Sequence, residues 1–161
     1  MKHTISVLVT NEFGVLSRIS GLFSGRGYNI ESLCVAETAD PMISRMTIVS
    51  VGEKRIIEQI LKQLNKLVNV VKVHDLTGEE YLKRELALIK VNATVDNRTE
   101  ILSIVEIFRA KVVDVGIKSY TVEITGDEGK IEAMIELLRP FGIKEMARTG
   151  RIAMGKTTKT K

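Results

Sequence analysis

Two histidines, His3 and His74, and one cysteine, Cys34, are the side chains of this 161-residue chain best suited to proton transfer or nucleophilic attack. Neither histidine stands near a serine, cysteine or carboxylate at a spacing that repeats a known catalytic arrangement. His74 is followed by Asp75, but successive residues of a strand point to opposite faces, which separates such a pair. Cys34, within Ser32-Leu-Cys-Val-Ala36, reads as a small core side chain. A single cysteine excludes an internal disulfide framework and a cysteine-cluster metal site. The paired acids Glu79 and Glu80 read as a solvated face. No catalytic centre emerges.

Three glycine patterns bear on anion binding. Gly150-Arg-Ile-Ala-Met-Gly-Lys-Thr157 matches the phosphate-loop spacing, whose mechanism needs a helix after the loop to receive the phosphates. Only four residues follow Thr157, about one helical turn, so the match is rejected as coincidence. Gly25-Arg-Gly27 ends a predicted helix instead of joining a strand to one, and reads as a cap and turn. Gly14 lies between a predicted strand and a predicted helix. Glycine lets another group approach the backbone, and a helix start offers free N–H donors and a positive dipole end, a corner that suits a carboxylate. A plain turn residue is the competing reading.

The elements that would position this corner follow from periodicity. Ile5, Val7 and Val9 alternate with Thr4, Ser6 and Leu8, as in a strand. Val15, Leu16, Ile19, Leu22 and Phe23 recur at helical spacing until Gly25 and Gly27. Strands are predicted over 30–37 and 44–51, a helix from Ile56 to Leu67, and a strand over 70–73. This is the βαββαβ order of the ferredoxin-like fold. An offset of 85 residues then maps Leu16, Ile19, Leu22 and Phe23 onto Ile101, Ile104, Ile107 and Phe108, and an offset of 74 maps Ile57, Ile60, Leu61 and Leu64 onto Ile131, Met134, Ile135 and Leu138. The second set of strands is predicted over 88–93, 112–116, 120–125 and 143–147. The fold class is α+β, two tandem ferredoxin-like units, with boundaries at 1–76 and 86–155, a linker over 77–85 and a basic tail over 156–161. Gly14 maps onto Thr99, so the glycine corner is peculiar to the first unit.

The net charge of +4 comes from the C-terminal end: six basic residues from Lys144 onward (Lys144, Arg148, Arg151, Lys156, Lys159, Lys161) face one acid, Glu145. The rest is close to neutral, whereas a nucleic-acid binder carries a basic face across its fold. A solubilising, frayed end is the favoured reading of the tail. The strand-helix order also fits an RNA-recognition domain, but that activity needs aromatics on the central strands, and Ser44–Val51 has none. The longest charge-free run, His3 to Asn11, is nine residues, far short of the ~20 of a membrane span. No signal-peptide pattern opens the chain, and a cytoplasmic location is expected.

The run from Asn11-Glu-Phe-Gly14 to Leu33 closely resembles the start of an ACT domain, the amino-acid-sensing variant of the ferredoxin-like fold. With Gly27-Tyr-Asn-Ile-Glu-Ser32, Ser44-Arg-Met-Thr-Ile48, Gln63-Leu-Asn-Lys-Leu-Val68 and Glu106-Ile-Phe-Arg109, the chain is similar to the regulatory small subunits of acetolactate synthase over almost its whole length. The resemblance implies a non-catalytic protein that binds and activates a catalytic large subunit and confers feedback by a branched-chain amino acid, commonly valine. Thiamine diphosphate, magnesium and FAD would belong to that partner, with no cofactor or metal in this chain. It also implies a homodimer through the first domain, with the effector between two chains. Asn11, Gly14, Val15 and Leu16 would come from one chain, and Asn29 and Ile30 from the other. Helix-end amides would take the carboxylate, amide side chains the ammonium, and Val15, Leu16 and Ile30 the aliphatic side chain. The alternatives are an ACT-domain sensor of another pathway, which would retrieve a different enzyme in a pull-down, and an RNA-binding module, which would bind RNA with strong salt dependence.

Overall fold

The computed structural model describes residues 1–157 and divides into two units, Met1–Leu82 with the segment from Arg151, and Lys83–Gly150. In the first, β1 (Lys2–Thr10), α1 (Val15–Ser24), β2 (Ile30–Glu37), β3 (Ile43–Val51), α2 (Lys54–Leu64) and β4 (Val70–Asp75) form a sheet of order β2-β3-β1-β4. All three pairings are antiparallel. The alternation in β1 works as expected. Ile5, Val7 and Val9 turn to the helices with Met46 and Ile48 and pack on Ile19 and Phe23 of α1 and Ile57, Ile60 and Leu64 of α2. His3 lies on this buried side, 2% exposed, with Nδ1 3.5 Å from Asp75 Oδ2. A ring so enclosed is inaccessible to a reactant.

The other face of β1 is not left to solvent, and this is what the periodicity did not reveal. Thr4, Ser6, Thr47 and Val49 are buried although they point away from the helices. The segment from Arg151, including β9 (Ile152–Gly155), lies over them. Arg151 N donates to Ser32 Oγ at 3.0 Å and its guanidinium to Thr4 Oγ1 at 2.8 Å, and Ala153 N donates to Thr47 Oγ1 at 3.4 Å. The expected frayed basic end is therefore corrected as far as Lys156, which pairs with Glu80 at 2.8 Å. Lys159 and Lys161 lie outside the described residues. Cys34 is corrected too: it pairs with Thr47 on this second face and is half-buried, outside the core.

The second unit has β5 (Tyr81–Asn92), α3 (Arg98–Ile107), β6 (Lys111–Val115), β7 (Ser119–Gly126), α4 (Glu128–Leu138) and β8 (Ile143–Arg148), in the order β6-β7-β5-β8. The same βαββαβ plan is thus repeated. Its core unites Ile89, Val91, Val122 and Ile124 with Ile101, Ile131, Met134 and Leu138. The expected linker over 77–85 is corrected, because β5 starts at Tyr81 and the boundary between units falls inside that strand. The alternation of β5 extends seven residues before Leu88. The expected end of the second unit at 155 is corrected likewise, since Arg151–Gly155 belongs with the first.

Glu85, 7% exposed, is held by Arg148, whose guanidinium also reaches Glu132 at 2.7 Å. Hydrogen bonding to Glu85, then to Glu132, pushes the Arg148 pKa above its already high ordinary value despite partial burial. Arg148→Ala strands the Glu85 carboxylate. Breaking a buried pair costs about 3–5 kcal/mol, which the partial exposure of Arg148 reduces to about 2–3. Urea denaturation should show this loss, and a change under 0.5 kcal/mol (the ~0.5 kcal/mol of an ordinary surface substitution) would contradict the assignment.

Candidate effector site

The first strand-to-helix corner is built from both sides. On one, Asn11 N donates to Met42 O, and the Asn11 side-chain amide donates to Glu37 Oε1 and Pro41 O, each at 3.1 Å. On the other, Asn69 donates to Thr10 Oγ1 and Glu12 Oε2 and accepts from Arg18. Asn69 is a positioning residue that the sequence reading missed; its one signal was an amide between Val68 and Val70 at a strand entry. With both Asn11 Nδ2 protons engaged, its Oδ1 is the atom left to receive an ammonium group.

Gly14 caps α1 in the left-handed conformation, φ 80° and ψ −5°, with no side-chain cap. A Cβ built there would meet no atom within 4 Å, so the space beside it is open. The first-turn N–H groups of Val15, Leu16 and Ser17 have no partner within the helix. The corner thus presents helix-start N–H donors beside open space. Because φ is positive here, any side chain at this position carries backbone strain, whatever room it has.

The four residues from this corner do not all present what was expected. Val15 is 4% exposed and its side chain is part of the core, so it offers only its N–H. Leu16 is half-exposed and supplies the apolar surface, beside the fully exposed Phe13. The second unit does not repeat the arrangement. There Asn97 caps α3 with φ −113°, its side chain accepting from Thr94 N, and Arg98 stacks on Tyr120.

Asn29 and Ile30 stand elsewhere. Ile30 pairs with Ser50, whereas Thr10, which precedes Asn11, pairs with Ile43. Those positions are seven residues apart on β3, roughly 23 Å at the rise of a strand. One chain therefore holds the two groups at opposite ends of its sheet and does not bring them together. Asn29 is exposed, its carbonyl accepting from Ser50 Oγ, and Ile30 packs on the edge of the core.

His74 and Asp75 diverge as strand neighbours should. His74 meets Glu79 at 3.2 Å, on the face away from Asp75. Among the described residues no group of three or more His, Cys, Asp or Glu could hold a metal ion, and no helix is long and apolar enough to cross a membrane. The rejected phosphate-loop match falls on the covering segment, where Ile152–Gly155 is a strand.

Comparison with known proteins bears on the family. Residues 5–72 match the family model for the AHAS small subunit-like ACT domain, and residues 84–157 the model for the small subunit of acetolactate synthase. The chain is 59% identical over 154 residues to the acetolactate synthase small subunit of Aquifex aeolicus, covering 95% of this chain and 80% of that one. It is 51% identical to that of Bacillus subtilis, covering 100% and 94%. The crystal structure of the small subunit from Thermotoga maritima superposes with a TM-score of 0.89 at 43% identity, covering 98% of both chains. Two consecutive family models and relatives matched almost end to end leave one conclusion: the chain belongs to the acetolactate synthase small-subunit family.

Proposed function

We infer that the protein is the regulatory small subunit of an acetolactate synthase in branched-chain amino-acid biosynthesis. It has no chemistry of its own, raises the activity of the catalytic large subunit, and makes that subunit responsive to a branched-chain amino acid, with valine the first candidate. Thiamine diphosphate, magnesium and FAD are expected in the partner. The open, left-handed Gly14 corner, present in the first unit and absent from the second, is the observation that carries the effector reading. Its donors suit a carboxylate, Asn11 Oδ1 an ammonium, and Leu16 an aliphatic side chain.

A half-site at each end of the sheet supports a homodimer through the first unit. Asn29 and Ile30 of one chain would close the corner of the other, and two such sites would form per dimer. Specificity among aliphatic effectors would rest on a methylene or two, worth only about 1–3 kcal/mol.

The direct test mixes this chain with its cognate catalytic subunit and measures acetolactate formation from pyruvate. The chain alone should be inactive, the mixture more active than the catalytic subunit, and valine should inhibit the mixture. Saturating small subunit without activation would overturn the reading.

Gly14→Asp separates the two roles. Left-handed backbone costs roughly 1–2 kcal/mol for a residue with a side chain, and aspartate beside the helix start recovers about 0.3–1, so stability should fall by about 1 kcal/mol in a thermal melt. The carboxylate fills the corner with like charge. Losing a charge-assisted hydrogen bond costs about 1.5–3 kcal/mol, so the inhibition curve should shift ten- to a hundredfold while activation persists. Unchanged inhibition would place the effector elsewhere.

A further inference from the structure

On the sheet face of the first unit turned away from α1 and α2, a small cavity of about 90 Å³ is lined by Ser6, Leu8, Arg45, Lys72, His74, Leu76 and Gly155. Cross-strand register accounts for its composition. Arg45 of β3 and Lys72 of β4 both pair with Leu8 of the central β1, one row from the pair Ser6 and His74. The two cations thus rise from the same face about two strand spacings apart, roughly 10 Å, within convergence of two long side chains over Leu8. Arg45 donates one bond to Ser6 Oγ at 3.2 Å. Among the described residues neither Arg45 nor Lys72 has a carboxylate partner. The acids nearby are taken: Glu79 by His74 and Glu80 by Lys156. The paired positions of this face (Ser32, Cys34, Ala36, Arg45, Thr47, Val49, Thr4, Ser6, Leu8, Lys72, His74) include no Asp or Glu.

We propose that this cavity binds a small tetrahedral oxyanion of the phosphate or sulfate class, held by Arg45 and Lys72 with the Ser6 hydroxyl. The guanidinium fork reads planar pairs of oxygens, and the ammonium adds a point charge. The volume is that of about three waters, enough for the oxyanion group and too small for a nucleotide. Its wall at Gly155 is the end of the covering segment, which follows the rows of the sheet from Thr4 and Ser32 at Arg151 to Thr47 at Ala153. An occupied cavity therefore braces that end. The site shares no residue with the Gly14 corner.

Calorimetric titration of the full chain with inorganic phosphate, at constant ionic strength in chloride, tests it. One saturable site per chain is expected, with sulfate comparable and acetate at least tenfold weaker. Lys72→Gln, at an exposed position, should weaken phosphate about tenfold, and Arg45→Gln combined with it should abolish binding. Gly14→Asp should leave it unchanged. Absence of saturable phosphate binding by the wild-type chain, undiminished binding by a folded Lys72→Gln chain, or acetate binding as tight as phosphate would each overturn the proposal.

Discussion

Because β1 and β2 both pair antiparallel to β3, they run in the same direction, and the chain leaves β1 at one end of the sheet while entering β2 at the other. The βαββαβ connection makes this unavoidable, since α1 returns the chain across the sheet between the two strands. The Gly14 corner and the Asn29–Ile30 entry are therefore separated within a chain by the length of β3. A ligand that uses both requires a second copy. On the proposed reading this constraint would place the effector at the interface of a dimer.

The corner itself works because its two sides are tied to different strands. Asn11 is anchored to the β2–β3 connection and Asn69 grips Thr10 and Glu12 from the start of β4. A corner ordered in this way would lower the entropic cost of binding the proposed effector. Glycine in the left-handed conformation then leaves the space beside the helix start open. On the other face of the same sheet, the segment from Arg151 converts what would be a solvated surface into a second buried layer. Thr4, Ser6 and Thr47 tolerate that burial because polar partners meet them there: Arg151, Arg45 and the Ala153 amide.

Most of the fold was legible in local patterns. The alternation of Ile5, Val7 and Val9 marks the face toward the helices, and the repeated helical spacing at Ile19, Phe23, Ile101 and Ile104 discloses the duplication. The glycine corner was legible because one glycine stands at a strand-to-helix junction that its duplicate fills with Thr99. What escaped depends on contacts remote in sequence. Ile152-Ala-Met-Gly155 is too short to display a period, and both its pairing with β5 and the bond from Ala153 to Thr47 are remote in sequence. Charge counting could not tell Arg148, clamped between Glu85 and Glu132, or Arg151, buried on Thr4, from the lysines of a tail. Val15 and Leu16 are both aliphatic, and only their angular positions on α1 send one to the core and the other to the surface. The sign of φ at Gly14 is a property of the turn that a glycine permits without announcing.

The measurement closest to the central claim is effector stoichiometry in a mixed dimer, with one chain carrying Gly14→Asp and the other Asn29→Ala, each bearing a different purification tag. If every site takes its corner from one chain and its second-strand entry from the other, one site of the mixed dimer holds both substitutions and the other holds neither. Calorimetry should then find one valine per dimer at wild-type affinity, while both parental homodimers bind weakly. A mixed dimer that binds as weakly as its parents would show that each site is completed within a single chain, and would contradict the account.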